Sequence, residues 1–513
     1  MNRSHDPAHL RGLALATLFP GFAGTASPPT WLAELVAEGL GGVVLFGRNV
    51  NPERGDEGVA ALTTQLRAAR QDLLVAIDEE GGDVTRLDAR AGSELPGSAA
   101  LGVVDDVALT ADVAASLGAR LRACGIDVNF APVADIDVDP LNPVVGVRAF
   151  GSDPELVARH VAAFVGGQQS SGVAATAKHF PGHGATDEDS HVTVPTVSAP
   201  AGLLDRRELV PFRAAVAAGV KIVMTAHIKV GAIDPGVPAT LSHGVITGLL
   251  RNRLGFRGVV MTDGMDMHAI SRTVGHPDAG VLALSAGVDA LCIGGETTDP
   301  ETVESMVAAL VSAVGSGRLP YQRLAEAAGR VRALAGWARS AELHDGIPDG
   351  VPAGVRAARR AVVAVGDVSL RRAPVVVELQ DEPSFAAGEV PWGVGRPLVE
   401  RLPGTVVVPV FESGPEPETV LAGHGDRPVV VSVRGVRRRS WQARAVAAIR
   451  QFRPDVVVVD HELPADSVVL GERYVLAYGA ARVTAEAAAD LLAAGVRSGV
   501  DRSRPDPTSV GPG

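Results

Sequence analysis

The sequence predicts an α/β chain made of a (β/α)8, TIM-like barrel followed by a smaller α/β layer (sandwich) domain. Between residue 10 and about residue 340, short β-rich runs alternate with amphipathic stretches of helical length, the pattern of parallel strands joined by crossover helices. The polar residues Asp78, Lys178, His179, His227 and Asp263 fall just after the carboxyl ends of different candidate strands, Lys178 and His179 sharing one. Barrels place their chemistry at that end, and scattered structural residues have no reason to choose it. Beyond a turn-rich break near residue 344 the alternation begins again.

Taken in order, the strand candidates are 13–18, 42–46, 73–77, 127–130, 173–177, 222–225, 259–262 and 290–293. Helix candidates between them include 57–70, 108–123, 154–169, 242–253 and 301–314, several opened by Asp-Pro or Ser, which are helix-start signals. Eight strand-helix units fit a closed barrel. The rival is a doubly wound open sheet, but no Gly-x-Gly-x-x-Gly follows the first strand to mark a dinucleotide site. The barrel is expected over residues 1–343 and a linker over 344–354, where His344, Gly346, Pro348, Gly350 and Pro352 are crowded together. A C-terminal α/β domain is expected over 355–500, with strands at 375–379, 405–410, 429–433 and 456–460 forming a parallel sheet and helices at 442–452 and 484–493. The Pro-, Ser- and Gly-rich tail 501–513 is expected to be disordered.

Charge and cysteine content narrow the class. With 47 Lys and Arg against 59 Asp and Glu the formal charge is −12, which argues against a nucleic-acid surface and leaves small neutral ligands as the better fit. Within this acidic chain the run Arg437 to Arg439 reads as a solvated edge. Cys124 and Cys292 form no disulfide framework, which suits a reducing compartment, and the cytoplasm is the expected location. The apolar stretch 10–19 carries Arg11 and lacks the layout of a signal peptide, and no apolar span reaches the ~20 residues of a membrane helix. A soluble protein is expected, with no membrane or nucleic-acid partner; a homodimer is compatible with the sequence.

The densest chemistry lies in Ala177-Lys178-His179-Phe180-Pro181-Gly182-His183-Gly184, closed by Asp189-Ser190-His191. Asp189 and His191 are two apart, so in an extended segment both leave the same face, and the carboxylate can hold one imidazole nitrogen while the other meets a substrate. That makes an oriented acid/base. The competing readings are a solvated loop with local hydrogen bonds and a metal site; no Cys accompanies the histidines, and Pro181 and the glycines suggest a shaped turn more than a ligand cage. No metal and no cofactor is expected.

At these residues the chain resembles glycoside hydrolase family 3, specifically its two-domain bacterial β-N-acetylglucosaminidase branch, whose signature is Lys-His-Phe-Pro-Gly-His-Gly followed by Asp-Ser-His. Further blocks stand in the family's order: Asp78-Glu79-Glu80-Gly81-Gly82 with Arg86, Asn129 to Asp135, Arg148-Ala149-Phe150-Gly151, and Met261-Thr262-Asp263-Gly264-Met265-Asp266. The resemblance implies a retaining, exo-acting β-N-acetylglucosaminidase (β-N-acetylhexosaminidase) acting on terminal N-acetylglucosamine of cell-wall-type or other small glycosides. It implies Asp263 as nucleophile, Asp266 being the nearby competitor, and His191 oriented by Asp189 as acid/base. It also implies Asp78, Arg86, Arg148, Lys178 and His179 around the sugar, with His227 either behind these residues or at the wall of the site. The chain departs from the commonest form at Glu79, Asp83, Gly264 and Met265, and no direct contact is assigned to Glu79 or Asp83. A phosphorylase remains the first alternative, because a neutral His donor would not repel a phosphate dianion as Glu would. A non-catalytic sugar sensor is the second. In the C-terminal domain Asp460-His461-Glu462 follows a strand end and is either a ligand site or a polar loop.

Overall fold

The computed structural model describes residues 6–139, 141–186, 194–267, 276–295, 299–341, 352–381, 388–464 and 467–494. Eight short strands, β1 (Leu18–Pro20), β2 (Gly42–Leu45), β3 (Leu74–Ile77), β4 (Val128–Asn129), β5 (Ala174–Phe180), β6 (Ile222–Thr225), β7 (Val259–Thr262) and β8 (Leu291–Ile293), follow one another around a curled parallel sheet. Six of them, β2 to β7, form one continuous ladder. A bridge between Met261 and Ala290 joins β7 to the start of β8, β8 pairs with β1 in register Leu18 to Leu291, and Gly41 N–H donates to the Leu15 carbonyl where β1 meets β2.

Alternation along each strand sorts the side chains. Leu74, Ala76, Ile222, Met224, Val259 and Met261 point inward and form one buried cluster, while Val75, Ile77, Val223 and Val260 pack outward against the helices. The helix Tyr321–Ser340 plugs the amino-terminal end of the barrel, its Val331, Leu334, Ala335 and Ala338 joining the inner cluster. Beside this plug Asp289 is fully buried and receives Arg251, Arg323 and Arg330, so its charge is matched by cations on two helices.

The first strand lies later than the expected 13–18. Residues through Leu15 belong to the helix Pro7–Leu15, where Asp6 accepts from Ala8 N–H as N-cap and Pro7 takes the first helical position. Leu10, Leu13, Ala14 and Leu15 are buried residues of that helix, so the apolar run belongs to a packed helix and only its end to β1. The helix expected at 242–253 is present as Gly244–Arg253, but wound as a π-helix. Strand β5 runs on to Phe180, so Lys178 and His179 are strand residues rather than loop residues.

In the C-terminal domain, strands β9 (Val363–Val365), β10 (Val375–Leu379), β11 (Val406–Val410), β12 (Val429–Val433), β13 (Val457–Asp460) and β14 (Tyr474–Leu476) form a sheet in the order β9-β14-β13-β12-β10-β11. It departs from the expected all-parallel sheet at one edge, where β9 pairs antiparallel with β14. Both faces are covered. Val376, Val430, Val457 and Val459 pack with the helices Ala353–Ala361, Gly395–Arg401 and Arg482–Ala493, and Val377, Val431, Val433 and Val458 with Ser440–Phe452.

The two domains are bonded through specific residues. Asp83 on the barrel accepts from Arg434 at 2.8 Å and from Ala480 N–H at 2.7 Å, and Ser93 O accepts from Val483 N–H. The tail 501–513 and most of the expected linker lie outside the described residues.

Candidate active site

The loop after β3 builds the first wall. Gly81 and Gly82 take positive φ angles of 78° and 64°, and a Cβ on Gly82 would meet Gly97 Cα at 2.5 Å, so the loop can double back only with glycine there. Doubling back brings Arg86 Nη2 to 3.0 Å from Asp78 Oδ2. Glu79 points the other way into the protein, where its carboxylate accepts from Arg86 N–H at 2.7 Å and Leu87 N–H at 2.9 Å. Burial pushes the Glu79 carboxyl up to about 7, against the opposing hydrogen bonds from Thr85, Leu87 and Arg86.

Lys178, near the end of β5, is almost wholly buried and places Nζ 2.6 Å from Asp78 Oδ1 and 2.7 Å from Glu80 Oε1. Glu80 also receives Arg148 in a two-pronged pair, Nε at 3.0 Å and Nη2 at 2.7 Å. Burial alone would raise the Glu80 carboxyl; the charges of Arg148 and Lys178 outweigh it and hold the group well below the usual carboxylate range. Lys178 is likewise kept charged, since Asp78 and Glu80 overcome the cost of burying its ammonium. Four of the residues expected around a sugar are thus tied into one ionic array, with Glu80, which had been given no role, at its centre.

His179 faces a different partner. Its Nδ1 lies 2.7 Å from Asp135 Oδ2, while Asp135 Oδ1 accepts from the backbone N–H of His179 at 3.2 Å and of His183 at 2.7 Å. A carboxylate only accepts, so His179 carries its proton on Nδ1, which directs the acceptor character to Nε2. His183 is buried against this pair, its own pKa pushed down to about 4 by desolvation. Asp135 was part of a quoted motif but had no assigned function; its 44-residue separation from His179 is bridged only by the barrel.

Asp263 follows β7 directly. Its backbone N–H donates to Thr225 O at 3.2 Å and its Oδ1 accepts from Gly264 N–H at 2.8 Å. The loop beyond is fixed from beneath, since Met265 N–H donates to Cys292 O and His227 Nε2 lies 2.9 Å from Gly264 O. His227 is fully buried, its Nδ1 2.8 Å from Thr240 Oγ1, so it supports the Asp263 loop from behind. Asp189 and His191 lie outside the described residues. Among the described residues no group of three or more His, Cys, Asp and Glu could hold a metal ion, and no helix is long and apolar enough to cross a membrane.

A half-buried carboxylate at a strand end, at the same end of the barrel as an array of paired cations and carboxylates, is an arrangement that can hold hydroxyl groups by both donors and acceptors. A sequence profile described as "Glycosyl hydrolase family 3 N terminal domain" matches residues 27–334. The chain belongs to glycosyl hydrolase family 3. It is 33% identical over 336 residues to "Beta-hexosaminidase A" of Pseudoalteromonas piscicida, covering 60% of this chain and only 55% of that protein, about half its length. "Beta-hexosaminidase" of Nitrosomonas eutropha is 36% identical over 320 residues, 60% of this chain and 89% of that protein. Among solved structures, a family 3 β-N-acetylglucosaminidase from Paenibacillus sp. str. FPU-7 superimposes with a TM-score of 0.85 at 33% identity, covering 95% of this chain and 97% of that one. The similarity therefore spans both domains of the chain.

Proposed function

We propose that the protein is an exo-acting, retaining β-N-acetylhexosaminidase that removes terminal N-acetylglucosamine from small glycosides, cell-wall fragments among them. The hexosaminidase part of the reading is supported by the names of relatives that match at 33–36% identity and by the full-length structural likeness to a β-N-acetylglucosaminidase. The observation that carries the chemistry is the placing of Asp263, held by Gly264 N–H at the end of β7, within one barrel mouth with the Asp78–Lys178–Glu80–Arg148 array.

In this reading an Asp263 oxygen attacks the anomeric carbon as the bond to the leaving oxygen breaks, and His191, oriented by Asp189, gives that oxygen its proton. The neutral imidazole then takes a proton from water as the water attacks the anomeric carbon and releases Asp263. An imidazole with an unperturbed pKa near 6.5 can serve both directions without strong burial. Lys178 has three N–H donors and spends two on Asp78 and Glu80, leaving one for a sugar hydroxyl. Arg86 and Arg148 supply further donors and Asp78 the acceptors. Reaction in the cytoplasm is part of the same proposal.

Nitrophenyl glycosides of N-acetylglucosamine and of glucose, assayed with and without phosphate, test it. Phosphate-independent release from the first and little from the second is expected. Turnover of the glucoside alone contradicts the substrate, and phosphate-dependent formation of a sugar 1-phosphate contradicts hydrolysis.

A further inference from the structure

We propose that Asn142 is a positioning residue of the reaction, a clasp that fixes the segment carrying Arg148 and the segment following His179 relative to each other. Its kinetic consequences rest on the proposed hydrolase mechanism. Asn142 lies ahead of the short helical turn Gly146–Arg148 and is 1% exposed. A buried carboxamide needs partners for two N–H groups and for the lone pairs of its oxygen. Here all four places are filled. Nδ2 donates to His183 O at 3.0 Å and to Thr186 O at 2.9 Å, and Oδ1 accepts from Val144 N–H at 2.9 Å and from Val145 N–H at 2.8 Å. With carbonyls on one side and N–H groups on the other, a single orientation of the amide satisfies both.

On the oxygen side the bonds continue to the ionic array. Val144 and Val145, whose N–H groups Asn142 holds, offer their carbonyls to Arg148: its Nη1 lies 3.0 Å from Val144 O and its backbone N–H donates to Val145 O at 2.9 Å. On the nitrogen side they continue to the end of β5. His183 N–H donates to Asp135 Oδ1, the carboxylate that also holds the His179 ring, and Thr186 Oγ1 lies 2.8 Å from His183 Nδ1. No side chain fits where the two segments cross, since a Cβ on Gly184 would meet Ile136 O at 1.6 Å. Close contact therefore sets their spacing. Their register is set by the Asn142 carboxamide and by a weaker backbone bond, Asp139 N–H to Gly184 O at 3.4 Å. The competing reading is an Asn that merely completes a turn. The bonds to Val144 and Val145 suffice for that; those to His183 and Thr186 reach 41 and 44 residues along the chain. Asp189 and His191, the proposed acid/base pair, follow shortly after Thr186 in the sequence.

Two variants of the full chain separate the two sides. Asn142→Asp keeps the oxygen that Val144 and Val145 bond and replaces the NH2 by an oxygen that repels the carbonyls of His183 and Thr186; Asn142→Ala removes both sets of bonds. Each is assayed on an aryl N-acetylglucosaminide well below its melting temperature, and the ring nitrogen-15 shifts of His183 are recorded. In Asn142→Asp, kcat should fall about tenfold or more while KM stays within about threefold of wild type, because Arg148 keeps its supports. In Asn142→Ala, KM should rise about tenfold as well, since Arg148 is released too. The His183 shifts should move in both. Wild-type kcat and KM in a folded Asn142→Ala, the same losses of kcat and KM in the two variants, or unaltered His183 shifts overturns the proposal. A wild type that turns over no hexosaminide removes the proposed hydrolase function, and the His183 shifts alone then decide whether the clasp stands.

Discussion

Lys178 and Arg148 meet on a single carboxylate oxygen, Glu80 Oε1, each 2.7 Å from it. Glu80 is therefore the residue that joins two cations from distant parts of the chain, one of which, Lys178, also pairs with Asp78. Its side chain is 5% exposed, so the charges are not screened by bulk water and each depends on the others.

Glu80→Gln keeps the shape and removes the charge. Breaking a buried ion set by deleting one partner costs about 3–5 kcal/mol, and displacing Lys178 and Arg148 by a fraction of an ångström should lower kcat/KM by roughly 100-fold. The sign with pH follows from the depressed carboxyl: its stabilisation is present above the ordinary carboxylate pKa of about 4.3 and is lost as the pH falls toward the lower folded value. Denaturant melts between pH 3 and 7 should show wild type losing this advantage at the acid end while the variant stays comparatively flat.

Glu79 behaves in the opposite sense. A folded pKa of about 7 against a reference of 4.5 means that the folded state holds a proton the unfolded state has released, so stability falls as the pH rises through this window. The shift corresponds to about 3 kcal/mol. Glu79→Gln should therefore gain stability over wild type progressively from pH 4.5 to 7 and keep that gain above. Parallel stability curves for the two proteins would show that the carboxylate is ionised at no cost, against this reading.

Asp135 determines which nitrogen of His179 is protonated. In Asp135→Asn the amide can present its NH2 to Nδ1 and favour the other tautomer, and loss of such an orienting carboxylate costs roughly 10- to 100-fold in function. Nitrogen-15 chemical shifts of the His179 ring report the exchange directly: protonated Nδ1 in wild type, protonated Nε2 in the variant. A drop in kcat/KM with an unaltered ring tautomer would point instead to the backbone N–H bonds at His179 and His183.

Asp83 links the loop that carries Asp78 and Arg86 to the C-terminal domain. Arg434→Ala removes one of its two partners and leaves a carboxylate that is 7% exposed with Ala480 N–H. A loss of about 1–3 kcal/mol is expected, the cost of a buried acceptor left short of a donor. KM for an aryl glycoside should rise more than kcat falls, because the loop carrying Asp78 and Arg86 loses its outer anchor. Equal KM with faster proteolysis of the C-terminal domain would confine Arg434 to domain docking.

What could be read from the residues was whatever lay on a strand or just beyond it. Short apolar runs that end in polar groups mark Asp78, Lys178 and Asp263, and all three lie at or near the carboxyl ends of their strands. The N-terminal strand was misplaced because apolar residues alone do not separate a packed helix from a strand; the Asp6-Pro7 start signal does, and it lies just before the run. Partnerships were hidden by distance along the chain: 44 residues from Asp135 to His179, 68 from Glu80 to Arg148 and 351 from Asp83 to Arg434. One signal was available. Asp78 and Glu80 are two apart in an extended run and share a face, which turns both toward Lys178 while Glu79 turns inward.

Asp263 is proposed to form the bond to the sugar. A fluorinated glycosyl donor with an activated leaving group slows the second step and traps the glycosyl-enzyme, so peptide mass spectrometry can locate it. One added sugar is expected on the peptide containing Asp263, with fragment ions assigning it to that residue, and no adduct in a folded, inactive Asp263→Asn variant. An adduct on Asp266, or labelling that survives in Asp263→Asn, would contradict it.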